Sequence, residues 1–196
     1  MTSQQPDLAA TSRFFGDHQR ATIEAAMARM IPTDDTPGAT EAGTIDFVDR
    51  YLSGIDYIYA KPDGSGFEEL SGKRADAWQQ RVEIVRQRYV SGVRDLDERA
   101  RAAHHADFVD LTAEQQDGVL RDLERPDQQQ ETELAKTKAT LYGAPVEPAL
   151  QQTSAEVDLG FVPLLALHTR QGFYADPIYG GNRKSSRLGC DRLSGA

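Results

Sequence analysis

Apolar residues recur along this chain at intervals of three and four, and that period divides it into helices. The longest run is Trp78, Val82, Val85, Tyr89, Val93 and Leu96, at spacings of 4, 3, 4, 4 and 3. It predicts a long helix beginning near Lys73, with Ser91-Gly92 as a place where it bends. Upstream, Asp17 is an N-cap candidate for a stripe of Ile23, Met27, Met30 and Ile31 that Pro32 ends. A second helix is expected from about Glu41 to Ser53, with Ile45, Val48 and Leu52 on one face and Gly54 as its stop.

Thr112-Ala113-Glu114-Gln115 spells a capping box for a helix through Val119, Leu120 and Leu123, which Pro126 ends. A polar break from 127 to 133 precedes a weaker helix over 134–141 and a loop through Ser154. Phe161 to Leu167 reads as a short buried helix with Pro163 in its first turn and His168 capping its end. Strand-like alternation never outlasts four residues. The expectation is an all-α protein of about five or six helices with long ordered loops, in a single domain. Residues 1–13 form a flexible lead, 14–183 the helical domain and 184–196 a basic tail.

Composition narrows the function classes. At 196 residues the chain supports one well-buried core. Its net charge is −9, and residues 183–196 carry +3, leaving −12 on the rest. A body that acidic repels phosphate, which argues against a nucleic-acid partner. The single cysteine, Cys190, excludes an intrachain disulfide and any multi-cysteine metal site built from this chain alone. The apolar run from Leu159 to Leu167 is interrupted by Gly160 and Pro163 and is far short of the ~18 residues of a membrane span. The polar stretch Met1–Thr11 has no export-signal pattern, so the chain as written is expected in the cytoplasm unless a partner carries the signal.

Candidate chemistry within the chain is thin. Asp34 and Asp35 sit between Pro32 and Pro37, but the alternating ligands of a calcium loop are missing, so capping and turn formation explain them. His104 and His105 are helix neighbours that face different ways, which fits a helix terminus better than a metal site. Pro62-Asp63-Gly64-Ser65-Gly66 is a turn without the strand–glycine–helix unit of a dinucleotide loop. The charges on the long helix, Arg81, Arg86, Arg88 and Asp97 among them, read as a solvated surface of mixed sign.

Thr169 to Arg183 stands apart. Its fifteen residues hold three aromatics, three glycines, a proline and Asn182, the chain's sole asparagine. Gly180-Gly181 supplies freedom at positive φ, while Asp176-Pro177 fixes the entry to a defined turn. Phe173, Tyr174 and Tyr179 either dock on another protein or close this chain's own core.

This stretch, with Phe161, Leu164, Leu165 and His168 before it, is similar to the C-terminal signature of the gluconate 2-dehydrogenase subunit 3 family. Met30 to Ala39 with Asp46-Phe47-Val48-Asp49 resembles the family's first helix, acidic-proline loop and second helix. Gly92 to Asp97 with Phe108, Leu111, Thr112, Gln115 and Leu120 resembles its middle. The resemblance implies a non-catalytic small subunit without catalytic, cofactor-binding or metal residues of its own. Its partner would be a large FAD-dependent oxidoreductase of the glucose-methanol-choline (GMC) type, oxidising a sugar, sugar acid or polyol, often with a cytochrome c subunit. Phe173, Tyr174, Asp176, Tyr179, Gly180, Gly181 and Asn182 are the partner-binding candidates by this analogy. Two other readings stand beside it: an enzyme in its own right, for which no convergent acid, base or nucleophile is spelled, and a free-standing helical adaptor without a flavoprotein.

Overall fold

The computed structural model describes residues 13–54, 56, 59–124, 156–175 and 177–182. The expected helix at 134–141, the loop through 154 and the tail with Cys190 lie outside the described residues, as does Asp176. The helices are α1 (Asp17–Met30), α2 (Thr44–Ser53), α3 (Gly72–His104), α4 (Ala113–Glu124) and α5 (Phe161–Tyr174), with 3-10 turns at Phe108–Asp110 and Pro177–Tyr179. Among the described residues there is no strand, only one isolated antiparallel bridge between Ala60 and Phe67. The protein is all-α.

Each helix start follows local chemistry. Gly16, not Asp17, is the N-cap of α1, its N–H donating to Gln19 Oε1 at 3.1 Å. Asp17 instead stands in the first turn, where its negative charge complements the helix dipole. Ile31 leaves helical geometry at φ −131°, as the residue before a proline must. The capping box of α4 forms as spelled: the Thr112 N–H donates to Gln115 Oε1 at 3.0 Å, and the Gln115 N–H to Thr112 Oγ1 at 3.4 Å. The second helix opens at Thr44 rather than Glu41. The residues before it are spent on turns, and the Glu41 carboxylate accepts from the Gly38 N–H and the Thr33 hydroxyl.

The helices close on one core whose centre is Tyr89, fully buried on α3. Its ring meets Phe15 edge-on at 5.6 Å and Phe161 at 5.8 Å, and stacks on the His168 ring at 5.7 Å. Buried acids fasten the periphery to this core. Asp49 Oδ1 accepts from the Phe14 and Phe15 N–H groups at 2.9 and 3.0 Å, and Arg20 bridges Asp49 to Asp46. Asp97 accepts from the Phe108 N–H at 3.1 Å and meets His18 Nε2 at 2.6 Å. Arg29 holds Asp117 through two bonds of 2.8 and 3.0 Å, tying α1 to α4.

The solvated reading of the α3 charges therefore needs correcting. Arg81 and Asp97 are buried, and Arg86 and Arg88 donate to the Leu52 and Leu159 carbonyls. Arg81 precedes Val82 and lies one turn before Val85, so it shares the inward face of the helix and must be paired there. α3 itself runs on through Ser91-Gly92. Gly92 is the seat of the Phe161 ring: a Cβ at this position would fall 2.1 Å from the ring's Cδ2.

Candidate functional site

The site grows out of α5. This helix does not stop near Leu167 but continues to Tyr174, and His168 is no cap. The buried positions run 161, 162, 164, 165, 168, 169, 172 and 173, an unbroken helical face. Its second half escapes a hydrophobicity pattern because Thr169 and Gly172 are inward-facing but small. Thr169 returns its hydroxyl to the Leu165 carbonyl at 2.7 Å, as a buried helical threonine can.

Gly172 lets α5 press against α2. A Cβ there would lie 2.9 Å from Phe47 Cβ and 3.0 Å from Thr44 Cγ2. Beyond Tyr174 the chain turns at Pro177–Tyr179 and comes back across the same spot. A Cβ on Gly181 would fall 2.1 Å from the Gly172 carbonyl oxygen, so the paired glycines are what permits the return. Gly180 takes φ +98° beside the Asp46 carbonyl, and the second left-handed residue of the turn is Asn182, at φ 52°, rather than Gly181. Asn182 Nδ2 donates to the Ala175 carbonyl at 3.2 Å, and Arg50 on α2 donates to the Ile178 carbonyl at 2.8 Å.

The three aromatics of the turn have different surroundings. Phe173 is buried. Tyr179 is half-buried, its ring edge-on to Phe67 at 5.6 Å and its hydroxyl accepting from the Ala60 N–H at 3.2 Å. Tyr174 is 71% exposed, the most exposed large apolar side chain among the described residues, and its ring meets Phe173 edge-on at 5.2 Å. The structure thus brings Phe173, Tyr174, Tyr179, Gly180, Gly181 and Asn182 into one turn on α2.

Beneath the turn is a polar cluster that sequence reasoning missed. Glu156 Oε2 accepts from the Tyr51 hydroxyl at 3.0 Å and from Arg81 at 3.0 Å (Nε) and 2.7 Å (NH2). His168 Nε2 stands 3.8 Å from Glu156 Oε1, and its Nδ1 shares a 2.9 Å hydrogen bond with the Tyr89 hydroxyl. Burial pushes the Glu156 carboxyl up, but His168 and Arg81 outweigh it and hold it at about 2. Burial, and then the Glu156 carboxylate, push both tyrosine hydroxyls up. The one advance signal was an arginine on the apolar face of α3. Its acidic partner lay in a stretch without periodicity.

With side-chain exposures of 8% at Arg81, 11% at Glu156 and 1% at His168, this cluster is largely buried, and its charges tie α2, α3 and α5 to the residues around Glu156. At the end of α3, His105 takes the left-handed C-cap conformation and His104 Nδ1 lies 3.3 Å from Gln115 Nε2, which are roles at a helix terminus. Among the described residues no three His, Cys, Asp or Glu side chains are grouped to hold a metal ion. None of the helices described is long and apolar enough to cross a membrane.

Fold and site together define a small all-α protein of a particular kind. Its aromatic C-terminal turn folds back on its second helix, and its buried acids anchor loops. The chain matches the family model for gluconate 2-dehydrogenase subunit 3 over residues 17–189, and it belongs to that family. Membership places it among the subunits of multi-subunit dehydrogenases. Comparison with curated proteins and with solved structures gives no match.

Proposed function

We propose that this chain is the non-catalytic small subunit of a flavin-dependent dehydrogenase. It binds and stabilises a large GMC-type oxidoreductase that carries the FAD and oxidises a sugar, sugar acid or polyol. The observation that carries the reading is the family match across residues 17–189. The C-terminal turn supports it, because an exposed tyrosine on a rigid, glycine-shaped scaffold has the character of an interface anchor. In this reading Tyr174 makes the contact. Phe173, Tyr179, Gly180, Gly181 and Asn182 hold the turn in shape, and Asp176 is a partner-binding candidate by the family resemblance alone.

The test is to express GMC-type flavoproteins of the native host with and without this chain, and to measure soluble yield, flavin content and dye-linked dehydrogenase activity. The expected result is a complex of fixed ratio and a several-fold gain in flavin-loaded, active enzyme. A flavoprotein that is equally abundant and active alone, with no co-elution, contradicts the proposal and favours the free-standing adaptor.

A further inference from the structure

The Glu156 cluster and the C-terminal turn are joined by two independent lines of packed side chains. The first runs through α2. The Tyr51 hydroxyl is bonded to Glu156 and its ring packs edge-on against His168 at 5.3 Å. On its other side Tyr51 lies parallel to Phe47, with 6.4 Å between centroids and 5° between planes. Phe47 in turn bounds the space at Gly172, on which the Gly181 backbone rests.

The second line runs through α3. The Arg81 guanidinium, paired with Glu156, lies 4.7 Å above the Trp78 ring. Trp78 meets Tyr59 edge-on at 5.4 Å, and the N–H of the next residue, Ala60, donates to the Tyr179 hydroxyl. One line ends on the returning segment of the turn at Gly181, the other at Tyr179.

We propose that Glu156 is a positioning residue: its buried carboxylate sets the C-terminal turn through both lines, so that docking depends on a group the partner never touches. The link to docking rests on the function proposed above; the link to the turn does not. The physical reason is the convergence on one carboxylate. Loss of its charge turns two charge-assisted hydrogen bonds, from Arg81 and from the Tyr51 hydroxyl, into weaker neutral ones and takes a buried anion from beside the Arg81 guanidinium, so both lines loosen at their common origin.

The experiment reads hydrogen exchange at the Gly180 amide, which donates to the Pro177 carbonyl at 3.0 Å inside the turn. The Gln116 amide, bonded to the Thr112 carbonyl at 2.9 Å at the start of α4, is the remote reference. In Glu156→Gln we expect exchange at Gly180 to rise roughly tenfold while Gln116 is unchanged. Tyr51→Phe, which deletes one hydroxyl and keeps the ring stack, gives a smaller rise at the same place and carries the test if the glutamine variant does not fold. Unchanged exchange at Gly180, or an equal rise at Gln116 from general destabilisation, overturns the proposal.

Exchange is read on the isolated chain. A wild-type chain that never co-elutes with a flavoprotein therefore defeats the proposed function while leaving the coupling to be judged by exchange. A complex that forms equally well with both variants, despite a loosened turn, overturns the link to docking.

Discussion

Two glycines show how a single methyl group has opposite effects at different places in this molecule. At Gly118 on α4 nothing stands within 4 Å of an added Cβ, so Gly118→Ala gains helix propensity alone and stabilises by about 0.5–1 kcal/mol. At Gly92 the same gain is set against a methyl driven into the Phe161 ring, itself wedged against Tyr89. Overpacking costs about 1–3 kcal/mol and wins, so Gly92→Ala lowers stability. Chemical denaturation of the two variants beside wild type checks both signs. The difference could not be read from sequence. Both glycines sit inside helical patterns, and Gly92 was expected to bend α3, whereas its role is set by a phenylalanine far along the chain.

At the scale of elements, what the sequence revealed was periodicity in large apolar side chains. It placed α1, α3 and α4, with Pro32 marking the end of α1 and the Thr112 capping box the start of α4. It failed where burial is achieved by small or polar residues. The second half of α5 turns inward His168, Thr169 and Gly172, which become core through contacts with Tyr89 on α3, Met30 on α1 and Phe47 on α2.

The acids that fasten elements were equally silent, since Asp49 and Asp97 look in sequence like any helix-surface carboxylate. Asp49 accepts two backbone N–H groups at the start of α1 and pairs with Arg20. Asp49→Ala orphans the Phe14 and Phe15 N–H groups, leaves Arg20 with Asp46 alone, and should cost roughly 3 kcal/mol, with the loss of α1 docking visible as new proteolytic cleavage around Phe14-Phe15. Asp35, exposed in the Pro32–Pro37 loop, should tolerate alanine within about 0.5 kcal/mol.

For the molecule as a whole, the Glu156 cluster sets the acid limit of the fold. Its carboxyl is held at about 2 when folded against an ordinary 4.5, so the unfolded chain binds the proton more tightly. The contribution of this group, on the order of 3 kcal/mol, is complete above pH 4.5 and is lost as pH falls from there toward 2. Denaturation midpoints measured across that window should fall steeply in wild type and more shallowly in Glu156→Gln.

Tyr174 behaves in the opposite way. Being 71% exposed, it should change to alanine with little loss of stability, within about 0.5 kcal/mol, while weakening capture of the partner. Calorimetry of the isolated chain and co-elution from the same preparation separate the two effects. The central claim, that this chain exists to accompany a flavoprotein, is met most directly by purifying the tagged chain from its native host at low salt and recording the mass and visible spectrum of what elutes with it. The account predicts a larger chain in fixed ratio with the absorption bands of a flavin. A colourless chain eluting alone, under conditions that preserve weak complexes, would contradict it.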